Sequence, residues 1–161
     1  MLGDGNVARF RAASAAAGVL AAISVGIRRA TSHGVAVHRY QDLIAWQLGD
    51  AFKLEVFRIV HGSVGAQRDY RFRSQLIEAA RAVPADLIEG FLRFRPKEFA
   101  RFLDFSIGSL GEAEGHLRDG VALRYFDDAT CNDAFRLARR CLTASVRLKQ
   151  SQRRFFTGDD R

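Results

Sequence analysis

Apolar residues recur along this chain at steps of three and four in four successive stretches, and each stretch predicts an amphipathic helix. The clearest runs through Phe72, Leu76, Ala80, Val83, Leu87, Phe91 and Phe94. Steps averaging near 3.6 put all seven on one helical face, whereas a half-buried strand would alternate every second residue. An earlier stripe, Ala45, Leu48, Phe52, Val56 and Ile59, is widened by Leu43, Trp46, Leu54 and Phe57. Asp42 is a candidate cap for that helix, and Gly62 and Gly65 end it in a loop. A third stripe is Phe99, Leu103, Ser106, Leu110, Ala113, Leu117 and Val121; a fourth is Cys131, Phe135, Ala138, Leu142, Ser145 and Leu148. Short connections favour antiparallel neighbours. The expected fold is therefore all-α, an antiparallel up-down-up-down four-helix bundle.

The helix breakers refine this picture. The second helix is expected over about Arg68 to Arg93, with Pro84 in its middle. A proline there removes a donor and clashes with the preceding turn. The stripe keeps its phase across it, which favours one kinked helix over two short ones. Pro96 suits the first position of the third helix, and Glu98 its positive first turn. Gly108, Gly111 and Gly115 each cost that helix about 1 kcal/mol against alanine. Close helix–helix approach is the expected compensation. Gly120 and Asp127–Asp128 mark its last turn and the next cap.

Composition adds a partner class. The 161 residues are 48% apolar with only 2 Pro and 13 Phe, which suits one domain of long buried helices plus extensions. The net charge of +7 favours partners that carry phosphate. Cys131 and Cys141 are ten positions apart, about 15 Å along one helix, so they cannot bridge each other; lone thiols suit a reducing cytoplasm. Residues 1–37 are rich in Ala, Gly and Ser and stand apart from the bundle, which is expected over 38–156, with a short tail over 157–161. The N-terminal segment reads as a poorly ordered or partly helical tail, which includes a start codon placed too far upstream. An export signal and an interfacial amphipathic helix compete with that reading, while the weakly apolar run Ala12–Ile27 is short for a membrane span.

No catalytic constellation accompanies the helices. No Glu-x-x-His, phosphate loop, nucleotide-binding glycine motif or Ser-x-x-Lys occurs, so no enzyme, cofactor or metal is expected. Glu112 and His116, one turn apart, read as a surface hydrogen bond rather than a metal pair. The strongest site candidate is the polar side of the fourth helix, with Arg136, Arg139, Arg140, Arg147 and Arg154. Residues 129–154 carry seven positive charges against one negative, Asp133. Arg136, Arg140, Arg147 and Arg154 are spaced 4, 7 and 7, so they drift only slowly around a helix. Guanidinium forks suit phosphate oxygens. A solvated polar face explains the same pattern. Phe91-Leu92-Arg93-Phe94-Arg95 could stack on bases, although core burial of the phenylalanines competes, and Arg93, Arg95 and Arg101 are the reserve candidates.

Several motifs also resemble a known family. Tyr40-Gln41-Asp42-Leu43-Ile44-Ala45-Trp46-Gln47, Ser74-Gln75-Leu76 and Val83-Pro84-Ala85-Asp86-Leu87-Ile88-Glu89-Gly90 resemble segments of the four-helix bundle proteins encoded in 23S rRNA intervening sequences, the third matching an "I-P-A-N-I-A-E-G" signature. Pro96-Lys97-Glu98-Phe99 and Gly108-Ser109-Leu110-Gly111-Glu112-Ala113-Glu114 resemble two more, in the same order. The likeness is good over about 38–118 and reaches the fourth helix only by pattern. Asp86, Ile88 and Arg95 depart from the usual Asn, Ala and Ser. The resemblance implies a homopentamer, structural roles inside or between bundles for Pro84, Glu89, Gly90, Ser109, Glu112 and Glu114, and no catalytic residues. It extends to basic accessory proteins of diversity-generating retroelements, which assist a reverse transcriptase and bind nucleic acid. The functional expectation is a cytoplasmic, non-enzymatic nucleic-acid-binding module without membrane attachment; the alternative is a scaffold docking a polymerase or reverse transcriptase.

Overall fold

The computed structural model describes residues 37–93 and 95–156, the last three by their backbone alone. Expectations for residues 1–36, for Phe94 and for the tail 157–161 lie outside the described residues. We number the helices α1 (Ile44–Gly62), α2 (Val64–Arg68), α3 (Tyr70–Leu92), α4 (Pro96–Ala122) and α5 (Asp128–Phe156); a 3-10 turn, Tyr40–Asp42, precedes them, and there is no strand among the described residues. The long helices form a bundle: α1 and α4 each pack against both α3 and α5.

Three stripes enter the core as expected. Phe52 and Val56 of α1, Leu76, Val83 and Leu87 of α3, and Leu103 and Leu117 of α4 are completely buried. Each contributes about 1.5–3 kcal/mol by leaving water. Pro84 lies buried within one continuous helix, so the single-helix reading holds. Beside it, Ser106 Oγ donates to the Val83 carbonyl at 2.8 Å and ties α3 to α4. Gly49 of α1 lets that helix approach: a Cβ there would lie 3.0 Å from Val83 Cγ1 and 3.7 Å from the Pro84 nitrogen.

The start of α1 differs from expectation. Asp42 sits in the 3-10 turn and accepts from Arg39 Nη2 at 3.1 Å. Leu43 precedes α1 without any side-chain cap. Its burial with Leu87, Phe99 and Leu103 sets where the helix begins. Of the flanking residues, Leu54 points outward, whereas Trp46 and Phe57 are partly buried.

At the other end of α1, Gly62 closes the helix, but Gly65 lies inside α2 rather than in a loop. A Cβ on Gly65 would come within 2.9 Å of the Tyr125 ring. Ser63 caps α2 by accepting from Ala66 N at 3.1 Å, and its hydroxyl donates to the Tyr125 carbonyl at 2.6 Å. Arg68 therefore ends α2, and α3 starts two residues later. Asp69 caps α3 through Phe72 N at 3.0 Å and receives the Tyr125 hydroxyl at 2.8 Å on its other oxygen. The Phe72 N–H and the Tyr125 hydroxyl hold the Asp69 carboxyl below its ordinary 3.8. Because that pKa is depressed on folding, its stabilisation is present above about pH 4 and is lost as pH falls through the folded value. Tyr125→Phe is thus expected to lower the melting temperature at neutral pH, and the difference from wild type should shrink on acidification below pH 4. A difference independent of pH in thermal melts would exclude the Asp69 bond as its source.

The α4–α5 turn uses a residue not legible as special. Gly120 lies in the helix, where a Cβ would strike the Phe126 ring at 2.1 Å. Arg124 then adopts φ 57, the left-handed region. Arg124 N bonds Val121 O at 2.9 Å and Tyr125 N bonds Gly120 O at 2.9 Å, the paired bonds that close a helix on a left-handed residue. Arginine is strained there, so Arg124→Gly is expected to cost nothing or to stabilise by up to about 1 kcal/mol, read as a shift in urea midpoint. Asp127 caps α5 as expected, accepting from Thr130 N at 2.8 Å.

One further expectation fails within the described residues, and another holds in part. Gly108, Gly111 and Gly115 have nothing within 4 Å of a built Cβ, so they mediate no contact within the described residues. They fall out of phase with the α4 stripe and face outward. On α5 the buried line is Cys131, Ala134, Ala138, Cys141 and Ser145, with Leu137 beside it. Leu142 is 38% exposed and Phe135 only partly buried. Cys131, Ala138 and Ser145 of the expected stripe are buried, while Ala134, Leu137 and Cys141 take the core positions between them in place of Phe135 and Leu142.

Candidate nucleic-acid interface

The arginine face rests on the helical phase of α5. Positions 136, 140 and 147 fall within about 40° of one another around the axis and span about 16 Å along it. They lie roughly opposite the buried line of Cys131, Ala134, Ala138 and Cys141, and Arg139 stands to one side of them. Arg136 is exposed and tied to Asp133 of its own helix, with Nη2 2.9 Å from Oδ1. Arg139 and Arg147 are exposed and Arg140 is partly buried. None of these three has a carboxylate within 4.0 Å among the described residues. The side chain of Arg154 lies outside the described residues, although its backbone continues the helix. Lys149, on another side of α5, pairs with Asp104 of α4.

Paired arginines behave differently elsewhere. Arg58 holds Glu55 and reaches toward the Thr130 carbonyl of α5. Arg81 lies over the Phe57 ring of α1 at 5.3 Å, and Arg118 of α4 lies over the Phe135 ring of α5 at 4.9 Å. These cross-helix stacks have no sequence signal, because they join residues far apart in the chain. They seal the flanks of the bundle with the guanidinium plane while leaving its rim hydrated.

Of the family-like motif residues, Pro84 and Gly90 are buried, whereas Glu89 and Glu112 are exposed. Gly90 is buried where α3 meets α4: a Cβ there would lie 2.6 Å from Phe102 Cβ and 2.8 Å from Phe99 Cδ2. Glu89 is exposed and pairs with Arg93, whose Nη1 also lies 4.0 Å from Glu98. Ser109 donates to Asp86 at 3.4 Å across the same helix pair. Burial pushes the Asp86 carboxyl above its ordinary 3.8, partly offset by that bond and aided by the nearby Glu89 charge. Glu112 is exposed, 3.7 Å from His116 Nε2, and Asp119 is 3.8 Å from His116 Nδ1. Glu114 is partly buried.

Burial pushes the Cys131 and Cys141 thiols up to about 11, so neither is a ready nucleophile. No group of three or more His, Cys, Asp or Glu stands close enough to hold a metal among the described residues. None of the described helices is long and apolar enough to cross a membrane. An open pocket of about 390 Å³ at the α4–α5 turn is lined by Val121, Arg124, Phe126, Asp127 and Asp128. It carries both signs of charge.

Fold and surface together define a helical bundle with one strongly cationic helix face. The family model for 23S rRNA-intervening sequence proteins matches residues 41–144, which span α1 to most of α5. The chain belongs to that family. No match to it was found among curated proteins.

Proposed function

We propose that this chain is a non-enzymatic module that binds the phosphate backbone of RNA or DNA, acting in the cytoplasm as a homopentamer of antiparallel up-down-up-down bundles. One observation carries the reading: Arg139, Arg140 and Arg147 line α5 with no carboxylate partner within 4.0 Å among the described residues. Guanidinium groups left without acids are available to phosphate, which each can grip with two N–H bonds. The pentamer is what the family resemblance implies, and the family's description supports an association with ribosomal RNA genes. Repetition by symmetry would multiply the modest +4 of residues 38–161, from 21 basic and 17 acidic side chains, into a strong field.

A second reading is favoured by Leu142 and Val146, 38% and 37% exposed on the same helix. Exposed aliphatic side chains beside arginines suit a protein partner, here a polymerase or reverse transcriptase that the bundle would serve as accessory subunit. Fluorescence anisotropy with labelled RNA and DNA separates the two. Affinity that falls steeply with salt and depends little on sequence is expected. Negligible binding at both low and moderate salt would exclude the first reading. Recovery of a single protein after nuclease treatment would favour the second.

A further inference from the structure

Where α3 ends and α4 begins, two phenylalanines meet and an arginine covers each of them. Phe102 and Phe105 meet edge to face with ring centroids 5.6 Å apart. Arg93 lies over the Phe102 ring at 4.8 Å, and Arg101 over the Phe105 ring at 5.3 Å. Local sequence fixes the arrangement. Gly90 lets the base of Phe102 close onto α3, and Arg101 and Phe105 stand one turn apart on α4. Phe105 still leaves 45% of its surface open.

The charge around this stack is unevenly neutralised. Glu89 and Glu98 are engaged by Arg93, and Asp104 by Lys149. Arg95 and Arg101 have no carboxylate within 4.0 Å among the described residues, and both are exposed. An aromatic ring that is half open, with the carboxylate-free guanidinium of Arg101 over it and that of Arg95 further back at the start of α4, matches a base on a strand whose backbone runs along the helix. In a duplex the faces of the bases are covered by their neighbours, so only an unpaired base offers a face to stack.

We propose that this corner is a base-stacking site for single-stranded nucleic acid. A base rests on Phe105 and the guanidinium plane of Arg101, and Arg95 meets the adjoining backbone. The inference rests on the nucleic-acid reading above and adds the strandedness of the ligand. It also assigns α4 a contact distinct from the phosphate row of α5.

The test uses the full chain and two probes at one salt concentration: a labelled single strand of about 15 pyrimidine nucleotides, within known site sizes, and a duplex of equal length. Phe105→Ala is expected to weaken single-strand binding about 5- to 100-fold, as the loss of one stacked base does. Duplex binding should not change, and Phe105→Tyr should keep the wild-type affinity for both. Unchanged single-strand affinity in Phe105→Ala would overturn the stacking site while leaving phosphate binding intact. An equal loss on both probes would overturn it too. Failure of the wild type to bind either probe would remove the nucleic-acid reading and this inference with it. A fall in oligomeric mass by light scattering for Phe105→Ala would make the corner an interface between copies, and would also overturn the proposal.

Discussion

Gly90→Ala is expected to destabilise the bundle by about 1–3 kcal/mol, the ordinary penalty for forcing atoms into a packed core. The added methyl would lie 2.6 Å from Phe102 Cβ and 2.8 Å from Phe99 Cδ2. A Cβ cannot swing aside as a ring tip can, so α3 and α4 must separate. Leu87 and Leu103, completely buried near this crossing, would loosen with them. Gly108→Ala is the matched control. Nothing lies within 4 Å of its built Cβ, so the better helix propensity of alanine should add up to about 1 kcal/mol. Urea midpoints of opposite sign for the two variants would confirm that position, not residue type, decides. Equal shifts would mean that the α3–α4 crossing is not tight at Gly90.

The second large effect concerns binding. Arg136, Arg140 and Arg147 changed together to Gln should leave the fold intact, because Arg136 and Arg147 are exposed charges that contribute little to stability and Gln keeps much of the side-chain stem of the partly buried Arg140. Of the three, Arg136 alone holds an acid among the described residues, Asp133 one turn away on the same helix. Affinity for RNA or DNA should fall, and the slope of log affinity against log salt should flatten by roughly 0.7–0.9 for each phosphate no longer neutralised. An unchanged slope would move the backbone-binding site away from α5, with Arg95 and Arg101 next in line. Loss of helicity would show that the row pairs with acids in the assembled protein instead.

Three of the four long helices are legible in the sequence because their buried residues are large and regularly spaced. Phe52, Val56, Leu76, Leu87, Leu103 and Leu117 leave no doubt about phase. On α5 the buried line is built from Cys, Ala and Ser, while larger apolar residues such as Leu142 and Val146 lie on the adjacent flank. Cys131, Ala138 and Ser145 belong to both the expected stripe and the buried line, so size misplaces only the positions between them. The glycines carry a similar lesson, with a signal that is present. Gly90 stands three and seven residues after Leu87 and Val83, in phase with their stripe, and it mediates contact. Gly108, Gly111 and Gly115 interrupt the phase of Leu110, Ala113 and Leu117, and they do not. The arginine face is legible as a face, since phase alone fixes it. Which arginines hold an acid is partly legible, since Arg58–Glu55, Arg93–Glu89 and Arg136–Asp133 are three or four residues apart on one helix, whereas the Lys149–Asp104 pair joins two helices and leaves no trace in the sequence.

The small residues beneath α5 have a consequence for motion. A helix seated on Cys131, Ala134, Ala138 and Cys141 removes less apolar area from water than one seated on leucines and phenylalanines. Local opening draws first on segments held by little buried apolar surface, so α5 should detach from the other three at a lower free energy than global unfolding. A polyanion gripping the outer row would favour the docked form by mass action. The helix that offers the charge is then also the one whose opening the ligand would suppress.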